Sequence, residues 1–310
     1  MKKLFFFLIF NLIFLTSAFC EKIGITITPS FGLTFSDNGE YIFTPSGKRL
    51  VSYLEWKATP LIQAGLEVSY TSKFFELNIG GDYTLPIECG QMFDSDWISS
   101  GLKTTYSIHK INSVRNYDFY VETGLNIPIK KFKITPGILW NYNFDHYHAH
   151  DGYGWYGGEA YSKNGEDNSW DSPYARKAKK LYPIDLTRKS SDVFFGFKAS
   201  FAPIQTLSFS LGSYIALYTK VYSYDYHFGK PNSLNDFSIT ENQEACLSRF
   251  KETLSVSYTF QKYFAVNLKA SYLYGKLIQG ELYDDDELTT QKSGSDISSF
   301  NIKFAFSLLL

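Results

Sequence analysis

The C-terminal stretch Phe300–Leu310, FNIKFAFSLLL, decides the fold class of this chain. A large apolar side chain stands at every second position of it, namely at Phe300, Ile302, Phe304, Phe306, Leu308 and Leu310. Because successive side chains of a β-strand point to opposite faces, all six lie on one face of a strand, whereas a helix would spread them around its axis. The pattern therefore predicts a strand with one apolar face, as the lipid-facing strands of membrane barrels have.

The same alternation recurs toward the N-terminus and predicts ten strands. They are Ile23–Phe35, Arg49–Tyr70, Phe74–Tyr83, Tyr117–Ile127, Phe132–His148, Asp192–Phe201, Leu207–Tyr224, Ala245–Phe260, Phe264–Gln279 and Asp296–Leu310. The short connections are Thr71–Lys73, Pro128–Lys131, Ala202–Thr206 and Gln261–Tyr263, and the long polar ones are Ser36–Lys48, Thr84–Asn116, Ala149–Ser191, Asp225–Glu244 and Gly280–Ser295. We therefore expect an all-β chain that forms a ten-stranded antiparallel transmembrane β-barrel, with long extracellular loops, short periplasmic turns and both chain ends in the periplasm.

The N-terminus is expected to be a secretory signal peptide. Two lysines precede the apolar stretch Leu4–Leu15, and small polar residues follow it. The stretch is shorter than the roughly 20 apolar residues that a membrane-spanning helix needs. Cys20 would be the acceptor of a lipoprotein signal, but the bulky Phe19 precedes it where a small residue is expected. We divide the chain into a signal peptide, residues 1–20, and a single barrel domain, residues 21–310.

The composition agrees with a barrel and excludes other classes. Aromatic residues make up 18% of the chain, yet the mean hydropathy is only −0.18. Beyond Glu21 no apolar run reaches the length of a spanning helix, so a helical membrane protein is excluded. The net charge of −1 gives no basis for a nucleic-acid partner. The three cysteines do not make a disulfide framework, although Cys89 and Cys246 can either pair or stay free.

Two of the long connections carry residues that suit acid–base chemistry. QMFDSDWISS contains Asp94 and Asp96, and YSYDYHFG contains Asp225 and His227. Residues two apart in an extended chain point to the same side, so the members of each pair can converge. A carboxylate beside an imidazole raises its basicity, which suits a general base acting on water. Two close carboxylates can share a proton, although the same spacing also occurs in solvated loops.

Longer segments resemble the omptin family of outer-membrane endoproteases. The segments SGKRLVSYLEWK, residues 46–57, and CGQMFDSDWISSG, residues 89–101, are similar to the second strand and second loop of that family. Further elements follow in the family's order: His109 in YSIHK, the Gly- and Tyr-rich HDGYGWYGGEAY, and the D-x-H element after the seventh strand. The resemblance spans most of the chain after residue 20 but is sparse outside these motifs.

The resemblance implies a surface endopeptidase of the outer membrane. Asp225 and His227 would activate the attacking water, while Asp94 and Asp96 would position that water and stabilise the tetrahedral intermediate. The peptide bond would be hydrolysed without an acyl-enzyme, a cofactor or a metal. The implied partners are polypeptide substrates at the cell surface and outer-membrane lipid, with no nucleic acid and a monomeric state.

The chain departs from the family at the substrate pocket and at the lipid contact. Omptins select basic residues with two acidic side chains. Glu40 matches one of these acids, whereas Ser223 stands where the other is expected, so selection of a basic residue is weakened. The segment WNYNFDHYH, residues 140–148, lacks the acidic and basic pair that would bind lipopolysaccharide. The family's W-T-D-x-S-x-H-P motif is reduced here to KTTYSIHKI.

Other hypotheses remain open beside the endopeptidase. His146, His148 and His150 alternate on one strand face and could ligate Zn²⁺, but neighbours on one strand face lie roughly 7 Å apart, which is awkward for one tetrahedral ion. A catalytically weak barrel could use the same loops as an adhesin for host proteins. A small porin is the third hypothesis, although a ten-stranded lumen is narrow and usually filled by side chains.

Overall fold

The computed structural model describes residues 24–97, 101–229 and 236–310, so the predicted signal peptide lies outside it. The strands are β1 Gly24–Phe43, β2 Leu50–Thr71, β3 Phe75–Thr84, β4 Glu88–Asp96, β5 Thr105–Ser113, β6 Asn116–Leu125, β7 Ile127–Ile129, β8 Phe132–Tyr156, β9 Arg176–Leu181, β10 Ile184–Ile204, β11 Leu207–His227, β12 Phe237–Ala245, β13 Arg249–Gln261, β14 Phe264–Asp284 and β15 Glu287–Leu309. All pairings between them are antiparallel. In the described part of the chain, no helix is long and apolar enough to cross a membrane.

The strands form one closed ring of ten wall strands. Short breaks divide three of these, so β3 continues as β4, β5 as β6, and β12 as β13. The ring closes where β15 pairs with β1, from Thr26 opposite Leu309 to Phe43 opposite Lys292. The short β7 and β9 pair with β8. The all-β class and the ten-stranded antiparallel barrel are confirmed.

The outer wall carries an apolar band at the end of the barrel where β1 begins and β15 ends. We call this end the base and the opposite end the rim. On β15, Phe304 and Phe306 are 49% and 55% exposed, whereas Ala305 and Ser307 face inward and are buried. Exposed apolar residues surround the barrel at the same level: Phe31, Leu66, Ile79, Phe119, Ile138, Phe197, Leu211, Leu254 and Leu268. Alternation therefore directs apolar side chains to the lipid, as the C-terminal sequence predicts.

Above the band, the wall strands are longer than the sequence pattern predicts. The region 84–116, expected to be a loop, contains β4 and β5, and β14 and β15 extend to Asp284 and Glu287. The predicted strand ends at the rim are wrong because, beyond the lipid, the outward positions need not be apolar. The alternation weakens there while the ladder of backbone hydrogen bonds continues. Asp94 and Asp96 therefore lie on a strand instead of in a flexible loop.

Inside the band, charged side chains pair across the barrel interior. The pairs are Lys269 with Glu67 at 2.8 Å, Lys133 with Glu76 at 2.8 Å, Arg249 with Asp192 at 2.7 Å, and Lys303 with Asp82. Glu67, Glu76, Lys133, Lys269 and Lys303 are among the residues that line a polar cavity of about 520 Å³. Burial removes the charges from water, so each pair depends on its partner for compensation.

Breaking the Arg249–Asp192 pair is expected to destabilise the barrel. Both side chains are buried, and Asp192 is 0% exposed. Arg249→Met leaves that carboxylate uncompensated, which should lower the free energy of unfolding by about 3–5 kcal/mol. Urea unfolding in phospholipid vesicles measures the change. The double variant Arg249→Met with Asp192→Leu removes both charges and should recover most of the loss; equal loss in both variants would contradict the prediction.

The two described cysteines are unpaired. Cys246 is exposed, and Cys89 is buried within an apolar cluster that includes Trp56, Met92 and Ile111. Burial raises the pKa of the Cys89 thiol to about 12, so the thiol stays protonated at neutral pH. A protonated buried thiol is a poor nucleophile. Cys89 is therefore a packing residue inside the rim half of the barrel.

Candidate active site

Asp225 and His227 form a hydrogen-bonded pair at the rim end of β11. Both point into the barrel because they alternate with the outward Tyr224 and Tyr226. His227 Nε2 lies 2.7 Å from Asp225 Oδ2, and Asp225 is only 5% exposed. The imidazole also stacks on Phe237 of β12, with ring centroids 4.3 Å apart. The carboxylate and the phenyl ring together hold the imidazole in one orientation.

The environment raises the pKa of His227 above its usual value. Burial alone would lower the pKa, but the Asp225 charge and the hydrogen bond that the imidazole donates to that carboxylate outweigh burial, and Asp94 and Glu40 add to the increase. The neighbouring carboxylates thus make His227 a stronger base than an isolated imidazole. A stronger base accepts a proton from water more readily.

Asp94 and Asp96 form the second acidic pair, on the inner face of β4. The backbone of Asp96 pairs with Ser52 of β2 on one side and with Thr105 of β5 on the other, and both side chains hydrogen-bond to its carboxylate. Burial and the neighbouring Asp96 charge raise the pKa of Asp94 well above its ordinary value. Burial also raises the pKa of Asp96, opposed by the hydrogen bond from Ser52. Two such carboxyls hold one proton between them more readily than two separate acids do.

The barrel brings the two pairs to one cleft at the rim. The charges of His227 and Asp225, as well as that of Asp96, act on the pKa of Asp94, and both pairs point into the barrel at the rim ends of their strands. The β4 and β11 strands that carry them are separated in the ring by β5, β8 and β10. All four predicted catalytic residues therefore meet in one place, although they lie far apart in sequence.

The floor of the cleft contains a buried charged cluster that the sequence did not reveal. Arg188 of β10 lies 3.2 Å from Glu40 Oε1 and donates from Nε to Ser223 Oγ at 3.1 Å. Glu241 of β12 pairs directly with Ser223 in the β-ladder and is also buried. Trp56 Nε1 donates to Glu40 Oε2 at 2.7 Å. The structure thus joins Glu40 and Ser223 through Arg188 and places Glu241 beside Ser223.

Burial and mutual repulsion disfavour simultaneous ionisation of the acidic side chains in this cluster. Burial raises the pKa of Glu40 to about 7, although the Arg188 charge lowers it, and the Asp225 charge raises it further. Burial and the Glu40 charge raise the pKa of Glu241 well above its usual range. Glu40 and Glu241 therefore share one arginine beneath the dyad. Sequence alternation places Arg188 and Glu241 on inward faces, but no motif distinguishes them from other inward polar residues.

Ser107 and His109 lie on the inner face of β5, where a hydroxyl contacts an imidazole. Ser107 Oγ lies 3.1 Å from His109 Nε2. Burial, with the charges of His227 and His150, lowers the pKa of His109 to about 4. Its Nδ1 atom has no hydrogen-bond partner among the described residues. A serine nucleophile needs a base that a third group orients, and this histidine has no such carboxylate.

The alternating histidines lie on the outer wall of β8. His148 Nδ1 lies 2.5 Å from Asp185 Oδ1, His146 Nε2 lies 4.0 Å from Asp185 Oδ2, and His150 Nδ1 lies 3.1 Å from Asp151. Across residues 24–97, 101–229 and 236–310, no group of three or more histidine, cysteine or acidic residues is arranged to hold a metal ion. These histidines therefore make pairwise contacts with acids, away from the cleft.

The cleft combines an imidazole that can accept a proton with a facing acid pair that can hold one. The imidazole of His227 is bound to Asp225 through Nε2, which leaves Nδ1 to take a proton from water. A carboxyl of the Asp94–Asp96 pair that keeps its proton can donate a hydrogen bond to a developing oxyanion. Such groups suit the direct attack of water on a polarised carbonyl carbon.

Comparisons with known proteins agree with this fold. The model of the Omptin family matches residues 21–201. The crystal structure of the outer membrane protease OmpT from Escherichia coli superposes with a TM-score of 0.78 at 14% identity, covering 94% of this chain and 99% of that one. The outer membrane protein OprG from Pseudomonas aeruginosa is 9% identical with a TM-score of 0.36, covering 93% and 95%. The comparison with curated protein sequences gave no match.

Proposed function

The chain belongs to the omptin family and lies in the outer membrane, and from this premise we propose that it is an endopeptidase that hydrolyses peptide bonds at the extracellular rim. The observation that carries the proposal is the His227–Asp225 hydrogen bond of 2.7 Å opposite the carboxyls of Asp94 and Asp96. Polypeptides at the cell surface are the proposed substrates, because β4 and β11 carry the two pairs at their rim ends, where His227 is partly exposed.

We propose that His227 acts as the general base. Its Nδ1 atom takes a proton from a water molecule, and the oxygen of that water attacks the carbonyl carbon of the scissile bond. Asp225 stabilises the imidazolium that forms, since an ionised carboxylate bound to the ring favours the charged state. The imidazolium then gives its proton to the leaving amine, so the base returns to its starting state.

The acid pair acts on the oxygens of the reaction. The carboxyl of Asp94 or Asp96 that holds the shared proton donates a hydrogen bond to the oxyanion of the tetrahedral intermediate. The ionised partner accepts a hydrogen bond from the attacking water and orients it. Donors already aimed at a developing charge stabilise the transition state without reorganisation.

A peptide-library digest by the detergent-refolded protein tests the proposed function. Mass spectrometry of the products should show new chain ends that appear with the folded barrel and are absent from samples of the same protein kept unfolded in urea. A folded barrel that leaves the library intact would overturn the proposal. Binding of host proteins without cleavage would favour the adhesin hypothesis, and ion conductance in planar bilayers would favour the porin.

The pH dependence of cleavage should be bell-shaped. His227 is a base only when neutral, and its pKa is raised, so kcat/KM should fall as the pH drops through a value above the ordinary histidine pKa of about 6.5. At high pH the Asp94–Asp96 pair loses its shared proton and the rate should fall again. Measurement of kcat/KM from acid to alkaline pH gives both limbs.

The Asp225→Asn variant provides the control for the acidic limb. The amide cannot hold the imidazolium by charge, so the remaining activity should persist to lower pH than in the parent. An acidic limb of the parent at or below pH 6.5 would contradict the assignment of His227 as the base.

A further inference from the structure

The cleft floor is built around one buried guanidinium. Arg188 starts on β10 and reaches across the barrel interior to β1, where its Nη2 atom donates to the backbone oxygen of Gly39 at 3.2 Å. The same atom lies 3.2 Å from Glu40 Oε1, and Nε donates to Ser223 Oγ. The Arg188 side chain is 4% exposed. It therefore fills the space between the two walls directly beneath Asp225.

We propose that Arg188 determines substrate specificity by occupying the acidic pocket beside the scissile bond, so that the cleft excludes arginine and lysine side chains and accepts small uncharged ones. This inference rests on the proposed function and names the substrate class of the same site. It also departs from the selection of basic residues that the family resemblance implies.

The position of Arg188 relative to the base supports this role. In the β10–β11 ladder Arg188 is opposite Ser223, and Asp225 is the next inward residue along β11. The charge of Glu40, which Arg188 binds, acts directly on the pKa of His227. In the proposed mechanism, a peptide whose carbonyl carbon lies beside His227 places a neighbouring side chain toward Ser223 and Arg188, because Ser223 is the next inward residue below Asp225 on β11.

Charge explains which side chains the floor excludes. A substrate cation would meet a buried like charge, and the carboxylate that could receive it is already bound to Arg188. A substrate acid would face Glu40, Glu241 and Asp225 in addition to the pair on β4. Because the floor of the cleft disfavours both positively and negatively charged substrate side chains, the accepted side chain is uncharged.

Space explains why the accepted side chain is small. The guanidinium contacts Glu40, Ser223 and the Gly39 carbonyl, so its planar end spans the floor from one wall to the other. Trp56 closes the next position, where its indole binds Glu40 and stacks on Tyr147 with centroids 6.1 Å apart. Removing the Arg188 side chain should therefore open an acidic pocket of the size of one guanidinium.

The test compares the parent with Arg188→Ala in a peptide-library digest by the refolded full-length barrel. In the parent, cleavage beside small uncharged residues should exceed cleavage beside arginine or lysine by roughly 100-fold. In Arg188→Ala, Glu40 and Glu241 face the new opening, and cleavage beside arginine and lysine should rise at least roughly 10-fold. Low concentrations of guanidinium chloride should inhibit this gained cleavage and leave that of the parent unchanged.

Arg188→Lys is the matched control, because it keeps a cation in the pocket and should keep the parent's preference. A folded Arg188→Ala variant without gained cleavage beside basic residues overturns the inference. If that variant does not fold, the cleavage preference of the parent tests the inference. A parent that cleaves beside arginine or lysine as fast as beside alanine or serine overturns the inference but leaves the proposed function standing. A folded parent that cuts nothing overturns the proposed function and, with it, the inference.

Discussion

Replacement of His227 by alanine should lower kcat/KM for peptide cleavage by roughly 10³- to 10⁴-fold, because the proposed mechanism depends on this imidazole to take the proton from the attacking water. His109 is buried on the opposite side, and its pKa of about 4 makes it a weak base. Asp225→Asn should cause a loss of similar size, since the amide holds the ring without stabilising the imidazolium. Kinetics with one fluorogenic peptide measure both variants.

The matched control for His227 is His146→Ala. His146 is a half-buried histidine on the outer wall of β8, outside the cleft, and its loss should leave kcat/KM unchanged. Folding of every variant is checked by gel electrophoresis, in which an unheated folded barrel migrates differently from the same protein after heating. Cleavage by His227→Ala at the parent rate, in folded protein, would exclude His227 as the base.

Asp94→Asn with Asp96→Asn should lower kcat by roughly 10²- to 10³-fold, because the pair loses its ionisable proton and its charge, and this loss is within the range for a positioned acid–base group. The two amides keep the shape of the pair but cannot share a proton or carry the charge that orients water. Because the interaction forms mainly in the transition state, kcat should fall while KM changes little. A rise in KM alone would instead assign the pair to substrate binding.

Glu88→Gln provides the control on the same strand. Glu88 begins β4 but is exposed and pairs with Lys110 at 3.6 Å, so its charge is screened by solvent. This variant should retain parental kinetics.

Combining Asp94→Asn with His227→Ala adds a further test, because residues that act as one unit give losses that do not add. Fully multiplicative losses would show that the two pairs act independently.

Much of the barrel follows from local sequence pattern. The alternation in Phe300–Leu310 predicts both a strand and its lipid-facing side, and the structure exposes Phe304 and Phe306 while burying Ala305 and Ser307. The number of wall strands and the short turns at the base follow in the same way. These features depend only on neighbours along the chain, because lipid requires an apolar residue at every second position.

The rim could be predicted less well, because water replaces lipid around it. Polar outward residues remove the alternation. The sequence pattern therefore predicts loops where the structure has strands, at β4, β5 and the upper halves of β14 and β15. The pairing of Asp94 with Asp96 and of Asp225 with His227 was predictable from their spacing of two residues. The resemblance to omptins then selected these pairs among other acidic positions.

The sequence alone determined the barrel through its periodicity, and it identified the four candidate catalytic residues through their spacing together with the resemblance to omptins. Only the tertiary structure decided what lies beneath them. Arg188 reaches Glu40 and Gly39 from the far wall, and Glu241 is paired with Ser223 by the register of β11 and β12. The closure and register of the ring bring these residues together, and no local pattern encodes which distant strands will face each other across the lumen.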